Sequence, residues 1–600
     1  MKRLLSGNEA IARGAWEAGV EVASAYPGTP STEILENFGP MPDVYAEWAT
    51  NEKVGMDVAI GAAYAGRRAL TCMKHVGLNV AADSYFYASM TGIEAGLVIV
   101  TADDPEMHSS QNEQDNRRYA KFARVPCLEP SDSQDAKDMV AVALEMSEQF
   151  DTPVMLRITT RIAHSHTPVE LGERHTHPPA VEKYPRNFEK YVSLPMNARK
   201  RHPILEERVA LLAGYAENLP HNRVEMGDAS LGIITCGVSY QYAREVFPDA
   251  SILRLGMVYP LPRQLIADFA ARVDRLIVIE ELDPFLEEEL VLQGVKVEGK
   301  SIFPMCGELT PQIVRESAIG AGLLPESAAV VPPAPITGDL PNRPPVLCPG
   351  CPHRGVFYTL KRLKLPVQGD IGCYTLGAMP PLSTMETCGC MGAGIGVAHG
   401  ADVAGDAERH VAVIGDSTFF HTGMPALLNT VYNRGKSITV LMDNRITAMT
   451  GHQQNPGTGR TLQGKKTLEI EFEPLVRAMG VNEVHTVDAY DMDAVKDAFT
   501  QSLASEEPAV IITRRECALL PQARKNYRPL RVDPEKCVAC WTCFRVGCPA
   551  IRRSEEVFEK TGRQKSDIDP LMCTGCEVCA QVCPQNAILF RAQLDEDDSD

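Results

Sequence analysis

No stretch of the 600-residue chain approaches the roughly 20 consecutive apolar residues that a bilayer crossing needs. The N-terminal MKRLLSGNEAIARGAWEAG breaks its short apolar patch with Ser, Asn and Glu, unlike a signal peptide. The sequence thus predicts neither a membrane span nor a leader. Surplus positive charge is also lacking. The net charge of −19 disfavours nucleic acid as a partner, because phosphates demand Lys and Arg surfaces. Tryptophan is scarce, at three residues, so no aromatic pocket can be named from the sequence. Histidine stops at His485 and no internal repeat is visible. The acidic end, LDEDDSD, reads as a solvated tail.

Cysteine is plentiful, and eight of the 18 fall between Cys537 and Pro584. They form Cys537-x2-Cys540-x2-Cys543-x4-Cys548-Pro and Cys573-x2-Cys576-x2-Cys579-x3-Cys583-Pro. This is the ligand pattern of a two-cluster ferredoxin, in which the fourth cysteine of each run serves the other run's cluster. Cys537, Cys540, Cys543 and Cys583 are therefore assigned to one [4Fe-4S] cluster. Cys573, Cys576, Cys579 and Cys548 are assigned to the other. Zinc sites normally use two cysteine pairs, often with histidine, and fit this triplet-plus-Cys-Pro spacing poorly. The first run carries one residue more than usual before its last cysteine. Thiolate clusters and many further cysteines suit a reducing cytoplasm.

Six hundred residues exceed one core, so several domains are expected. Short apolar runs alternating with helical periodicity predict doubly wound α/β domains, with strands at Val20–Ala25, Ala69–Met73, Leu97–Thr101 and Val154–Ile158. Further strands are predicted at Leu231–Gly237, Ser251–Leu255, Leu276–Glu280, Val411–Gly415 and Ser437–Met442. The expected organisation is an α/β domain over 1–165, a connection over 166–228 and a second α/β domain over 229–324. A Pro-rich linker over 325–345, a third α/β domain over 346–525, a small α+β cluster domain over 526–592 and the tail 593–600 complete it.

Asp416 and Asn444 are expected at the C-terminal ends of two strands, where doubly wound sheets bind ligands. A carboxylate, an amide and a nearby carbonyl suit octahedral Mg²⁺ that also holds phosphate oxygens. The stretch resembles the thiamine diphosphate motif, here Gly415-Asp416-Ser417 followed by Asp443-Asn444, with Ile446 offering the carbonyl. Two positions depart from the usual Gly-Asp-Gly and Asn-Asn. Taken with YPGTPSTEI at 26–34, ALTCMKHVGLN at 69–79, CPGCPHRG at 348–355 and DNRITAMTGHQ at 443–453, nearly the whole chain resembles the 2-oxoacid:ferredoxin oxidoreductases.

That resemblance implies a pyrimidine-binding domain at 1–165, a transketolase C-terminal-like domain at 229–324 and a diphosphate-binding domain at 346–525. It implies Glu52 on the aminopyrimidine ring and Thr29 on the substrate. Cys390 and Gly392, heading Gly392-x-Gly394-x-Gly396, would lie beside the diphosphate. It also raises a third [4Fe-4S] cluster on Cys348, Cys351, Cys373 and Cys517, with Cys388 and Cys390 competing, against the alternative of buried, inert cysteines. The activity implied is oxidative decarboxylation of an arylpyruvate such as indolepyruvate with coenzyme A, electrons passing to ferredoxin. A smaller beta subunit, in an alpha2beta2 assembly, is implied as partner. The alternatives are the same chemistry on another 2-oxoacid and a thiamine-dependent decarboxylase without redox chemistry. His75, His353, His421 and His452 are read as hydrogen-bonded pocket or core residues.

Overall fold

Leu97–Asp103, buried along its whole length, is the middle strand of a seven-stranded sheet. LVIVTAD is apolar on both faces for its first four residues, as a strand covered by helices on both sides must be. The strand order is Met257–Tyr259, Cys127–Leu128, Val154–Thr159, Leu97–Asp103, Ala69–Lys74, Val22–Ala25 and Tyr45–Trp48. All neighbours are parallel except the first pair. In this computed structural model, which describes residues 1–181, 184–330 and 343–590, the chain forms two units, Met1–Gly338 and Asp339–Asp600. Most of the Pro-rich linker and all of the acidic tail lie outside the described residues.

A second sheet in the first unit orders Arg275–Ile279, Asp228–Cys236, Ala250–Leu255 and the antiparallel Arg223–Glu225. Its Ile234, Leu253 and Val278 share one buried cluster with Met56, Tyr85, Cys127 and Met155 of the first sheet's layers. The sequence suggested two α/β bodies; apolar residues from both merge into one core. Within 166–228, expected as a connection holding one helix, Pro195–Ala216 is a 22-residue helix with Pro203 inside it. Tertiary anchors offset the missing donor: Arg208 and Arg201 donate to the carbonyls of Ser89 and Thr91 at 2.9 Å each.

Where the two sheets meet, charge is buried. Arg117 pairs with Asp115 at 2.5 Å and Glu280 at 2.7 Å, and Arg157 with Asp103 at 2.8 Å and Glu129 at 2.5 Å. Beside them, burial pushes the Glu281 carboxyl up to about 7, against the pull of Arg157. Its stabilising contribution is complete below its ordinary value of 4.5, where folded and unfolded chains are both protonated. It is lost as pH rises towards 7, because only the folded chain keeps the proton. Thermal unfolding should therefore drop between pH 5 and 7.5, and Glu281→Gln should flatten that slope by at most about 3 kcal/mol. An unchanged slope in the variant would assign the dependence elsewhere.

The second unit holds a five-stranded parallel sheet, ordered Val367–Gln368, Val411–Gly415, Ile438–Asp443, Ala509–Arg514 and Glu483–Asp488. Two antiparallel pairs, Leu530–Val532 with Ile588–Phe590 and Ile551–Phe558 with Arg563–Ile568, frame the cysteine runs. Val546 and Val578 from this end belong to the same core as Val356, Phe357 and Ile511. Buried Arg354 fastens the join, donating to the carbonyls of Leu347 and Cys348 on one side and Val546 and Gly547 on the other. Among the described residues no helix is long and apolar enough to cross a membrane.

Candidate active site

The strand Val411–Gly415 delivers Asp416 to its C-terminal end, and the adjacent Ile438–Asp443 delivers Asn444. Both side chains converge on one peptide. Asp416 Oδ2 accepts from the Ile446 amide at 3.1 Å and Asn444 Oδ1 from the same amide at 3.3 Å. Asp416 Oδ1 accepts from Ser417 at 2.6 Å. Burial, then the neighbouring Asp443, push the Asp416 carboxyl up to about 8. A buried acid grouped with an amide oxygen has the hard oxygen donors and the deficit of positive charge that Mg²⁺ satisfies. The residues fit the metal.

Surrounding groups fix this geometry. Asn444 Nδ2 lies 3.4 Å from His353 Nε2, and burial lowers His353 to about 4, so its ring is neutral near pH 7. Asp443 is held by Arg514 at 2.9 Å and by the Arg445 amide at 3.2 Å. Asn455, unmarked in the sequence reading, bonds to Asp416 and accepts from Gly457 at 2.9 Å. Its signal was the turn sequence Asn-Pro-Gly eleven residues past Asn444.

Gly392 does require glycine: its φ is +83° and a Cβ would sit 2.1 Å from Thr422 Oγ1. Its amide, however, is engaged by the chain itself. Asp370 accepts from Gly392 at 2.9 Å and from Gly394 at 3.3 Å, so these amides, expected beside a diphosphate, face a carboxylate. Cys390 is exposed.

Cys348, Cys351, Cys373 and Cys517 come together. Cys373 feels Cys517, Cys348 and Asp416, and Cys351 feels Cys373 and Cys348. Burial pushes Cys351 up to about 12 and Cys373 up to about 11, thiols that ionise readily only with a cation beside them. The competitor Cys388 turns instead to the Asp370 carbonyl at 3.4 Å. His452 Nε2 lies 3.8 Å from Cys517 Sγ.

At the C-terminal end the two sets separate as the spacing requires. Cys543 is raised by burial and then by Cys583, Cys537 and Cys540; Cys579 by burial and then by Cys576, Cys548 and Cys573. Donors already point at sulfur: the Leu530 amide to Cys573 Sγ and the Ala587 amide to Cys583 Sγ, each at 3.4 Å. Such bonds tune thiolate-held clusters. Tyr490 ties the set containing Cys576 to the Cys348–Cys351 loop, its hydroxyl donating to the Gly350 carbonyl at 2.5 Å. Burial, then Cys576 and Cys351, raise its phenol. Gly350 has φ +67°, and Thr574 Oγ1 occupies the place of a Cβ at 2.1 Å.

In the first unit Glu52 opens the helix Glu52–Tyr64, capped by Asn51 accepting from Val54 at 2.9 Å. Its side chain is only 6% exposed, not the solvated helix-end carboxylate that local sequence favours. Gly77 makes room: a Cβ there would lie 2.9 Å from Glu52 Oε1. Lys74, at the end of Ala69–Lys74, was missed. Burial lowers its ammonium, Asp104 and Glu52 oppose that, and Nζ donates to Ser109 at 2.8 Å. Gly28 packs on Lys74, placing half-buried Thr29 and its cis bond to Pro30 on the adjacent loop. His75 is buried and lies 3.1 Å from the Asn112 carbonyl.

Family models agree with these halves. Residues 13–216 match the thiamine diphosphate-binding domain of pyruvate flavodoxin/ferredoxin oxidoreductase, 370–513 the C-terminal TPP-binding domain of thiamine pyrophosphate enzymes, and 536–587 a 4Fe-4S dicluster domain. The class so defined is a thiamine diphosphate- and iron–sulfur-dependent 2-oxoacid oxidoreductase. The indolepyruvate oxidoreductase subunit IorA of Pyrococcus horikoshii is 42% identical over 98% of this chain and 96% of its own. That of Archaeoglobus fulgidus is 41% identical over 98% and 97%. The 2-oxoglutarate synthase subunit KorA of A. fulgidus is 27% identical over 50% of this chain and 96% of its own. The chain belongs to the 2-oxoacid:ferredoxin oxidoreductase family, alongside the IorA subunits of indolepyruvate oxidoreductase.

Proposed function

We propose that this chain is the large, thiamine-binding subunit of an enzyme that oxidatively decarboxylates an arylpyruvate such as indolepyruvate, with coenzyme A as acyl acceptor and ferredoxin as electron acceptor. The observation that carries it is the convergence of Asp416 and Asn444 on the Ile446 peptide in a chain with the two cysteine runs. The near full-length similarity to indolepyruvate oxidoreductase IorA subunits supports the choice of substrate. A smaller subunit completes the enzyme, in an alpha2beta2 assembly.

Bound thiamine diphosphate would supply the nucleophilic carbon and the electron sink for loss of CO₂, and bound clusters would accept single electrons. Asp416, Asn444 and the Ile446 carbonyl would hold Mg²⁺ and, through it, the diphosphate. Neutral His353 keeps the Asn444 amide oriented. Glu52 would exchange a proton with the aminopyrimidine ring, Gly77 leaving space against its carboxyl. Thr29 would hydrogen-bond the 2-oxoacid. Cys348, Cys351, Cys373 and Cys517 would hold a third cluster, next to Asp416 on one side and, through Tyr490, to the set containing Cys576.

The test is anaerobic quantitation of thiamine, iron and sulfide on the purified complex, with turnover measured on indolepyruvate and pyruvate. About twelve iron atoms per large subunit are expected, against about eight without the third cluster. Faster ferredoxin reduction with pyruvate than with any arylpyruvate would overturn the substrate assignment.

Lys74 is a half-buried cation close to Glu52, placed to meet the substrate's carboxylate. Lys74→Met should raise KM for the 2-oxoacid about 30-fold, the worth of one charge-assisted hydrogen bond, with a smaller effect on kcat. Steady-state kinetics at saturating coenzyme A checks it; an unchanged KM would return Lys74 to a structural role.

A further inference from the structure

We infer that the arginine-flanked face of Trp541, beside Cys540, is where a small acidic iron–sulfur carrier docks to collect electrons. The inference rests on the function proposed above. Residues 526–592 carry ten Lys and Arg against eight Asp and Glu, a net +2 in a chain of net −19. An acidic partner is repelled by most of this molecule and meets its least negative domain here. Within that surface one spot combines exposure with unspent charge. Trp541 adjoins exposed Cys540, and its indole nitrogen donates to the Gln564 carbonyl at 2.8 Å. That bond pins the hairpin Ile551–Phe558/Arg563–Ile568 against the cluster-binding loop.

Arg553 and Arg563 project from the hairpin's two strands onto the same indole, 4.6 and 5.5 Å from the ring centroid. Neither forms an ion pair among the described residues. Their neighbours do: Arg552 pairs with Asp567 at 2.7 Å and Lys565 with Glu556 at 3.2 Å, spending their charge internally. Glu555 and Glu559 are also exposed on the hairpin, so the attraction is local to the Trp541 face. Two guanidiniums held over a flat apolar ring supply both the steering charge and the desolvated anchor of a transient interface. The cluster that Cys537, Cys540, Cys543 and Cys583 would hold would supply one electron to the carrier's oxidised cluster, with no bond made or broken.

The test measures Kd between the intact enzyme complex and a purified acidic two-cluster ferredoxin by calorimetry. Viologen-linked turnover on indolepyruvate is followed separately. Arg553→Glu with Arg563→Glu should weaken Kd at least tenfold and flatten its dependence on salt. Viologen turnover and cluster absorbance should stay within about twofold, since a dye needs no docking face. Arg3→Glu, a charge reversal on the other unit, should leave Kd unchanged. If the Glu pair loses its clusters, Arg553→Gln with Arg563→Gln decides, with a smaller weakening expected. Failure of viologen turnover in the unmodified enzyme would sink the proposed function, whereas the docking face is read by Kd alone. A wild-type Kd indifferent to salt between about 50 and 300 mM, or unchanged in both pairs, would overturn the inference.

Discussion

Glu52→Gln lowers 2-oxoacid turnover by about 10²–10⁴-fold while iron, sulfide and bound thiamine stay at wild-type levels: that is the expected outcome. The substitution keeps the shape that fits against Gly77, where the space beside Oε1 would not admit even a methyl group. It removes only the ability to exchange a proton. Turnover measured with a viologen dye isolates the carboxyl from the electron exit. A variant that retains full activity would take Glu52 out of the chemistry, and its burial would need another explanation.

Asp416→Ala should be as damaging by a different route. It deletes the only carboxylate among the three proposed Mg²⁺ ligands and leaves the Ile446 amide with the weaker Asn444 oxygen alone. Removing groups that merely orient metal ligands costs roughly 10–100-fold in affinity or activity, and a direct ligand should cost more. Thiamine diphosphate retained after gel filtration in Mg²⁺ should fall to near zero, while the C-terminal clusters persist because none of their cysteines depends on Asp416. Tight retention of the cofactor in this variant would show that the diphosphate is held elsewhere in the chain.

Much of this could be read before any coordinates. The cysteine runs were legible because four thiolates per cluster impose a spacing that few other folds use, and the structure draws Cys583 to the first triplet and Cys548 to the second. The strand ends at Asp416 and Asn444 were legible because apolar β-runs stop where the sheet stops. Asp370 was not. It has no motif around it, and its role arises only when Gly392 and Gly394 are folded back onto it. Lys74 was hidden differently: it lies within the ALTCMKHVGLN stretch, but a lysine at a strand end is ordinarily solvated, and here the Ser109 carbonyl and Asp104 reach it from another loop. The shared core of the first unit was also out of reach. Periodicity reports that Leu253 and Cys127 are buried, not that they belong to one core.

Arg354 gives the molecule a bolt where a hinge might have stood. One guanidinium spans the backbone that carries Cys348 and the backbone leading to Cys548, and Tyr490 and Gln581 clamp the same seam. The separation between the proposed third cluster and the C-terminal clusters would then be set by covalent geometry and packing rather than by diffusion of a tethered domain. Current through this subunit would therefore be governed by tunnelling over fixed gaps, and solvent viscosity would leave it untouched until the outside carrier must come and go.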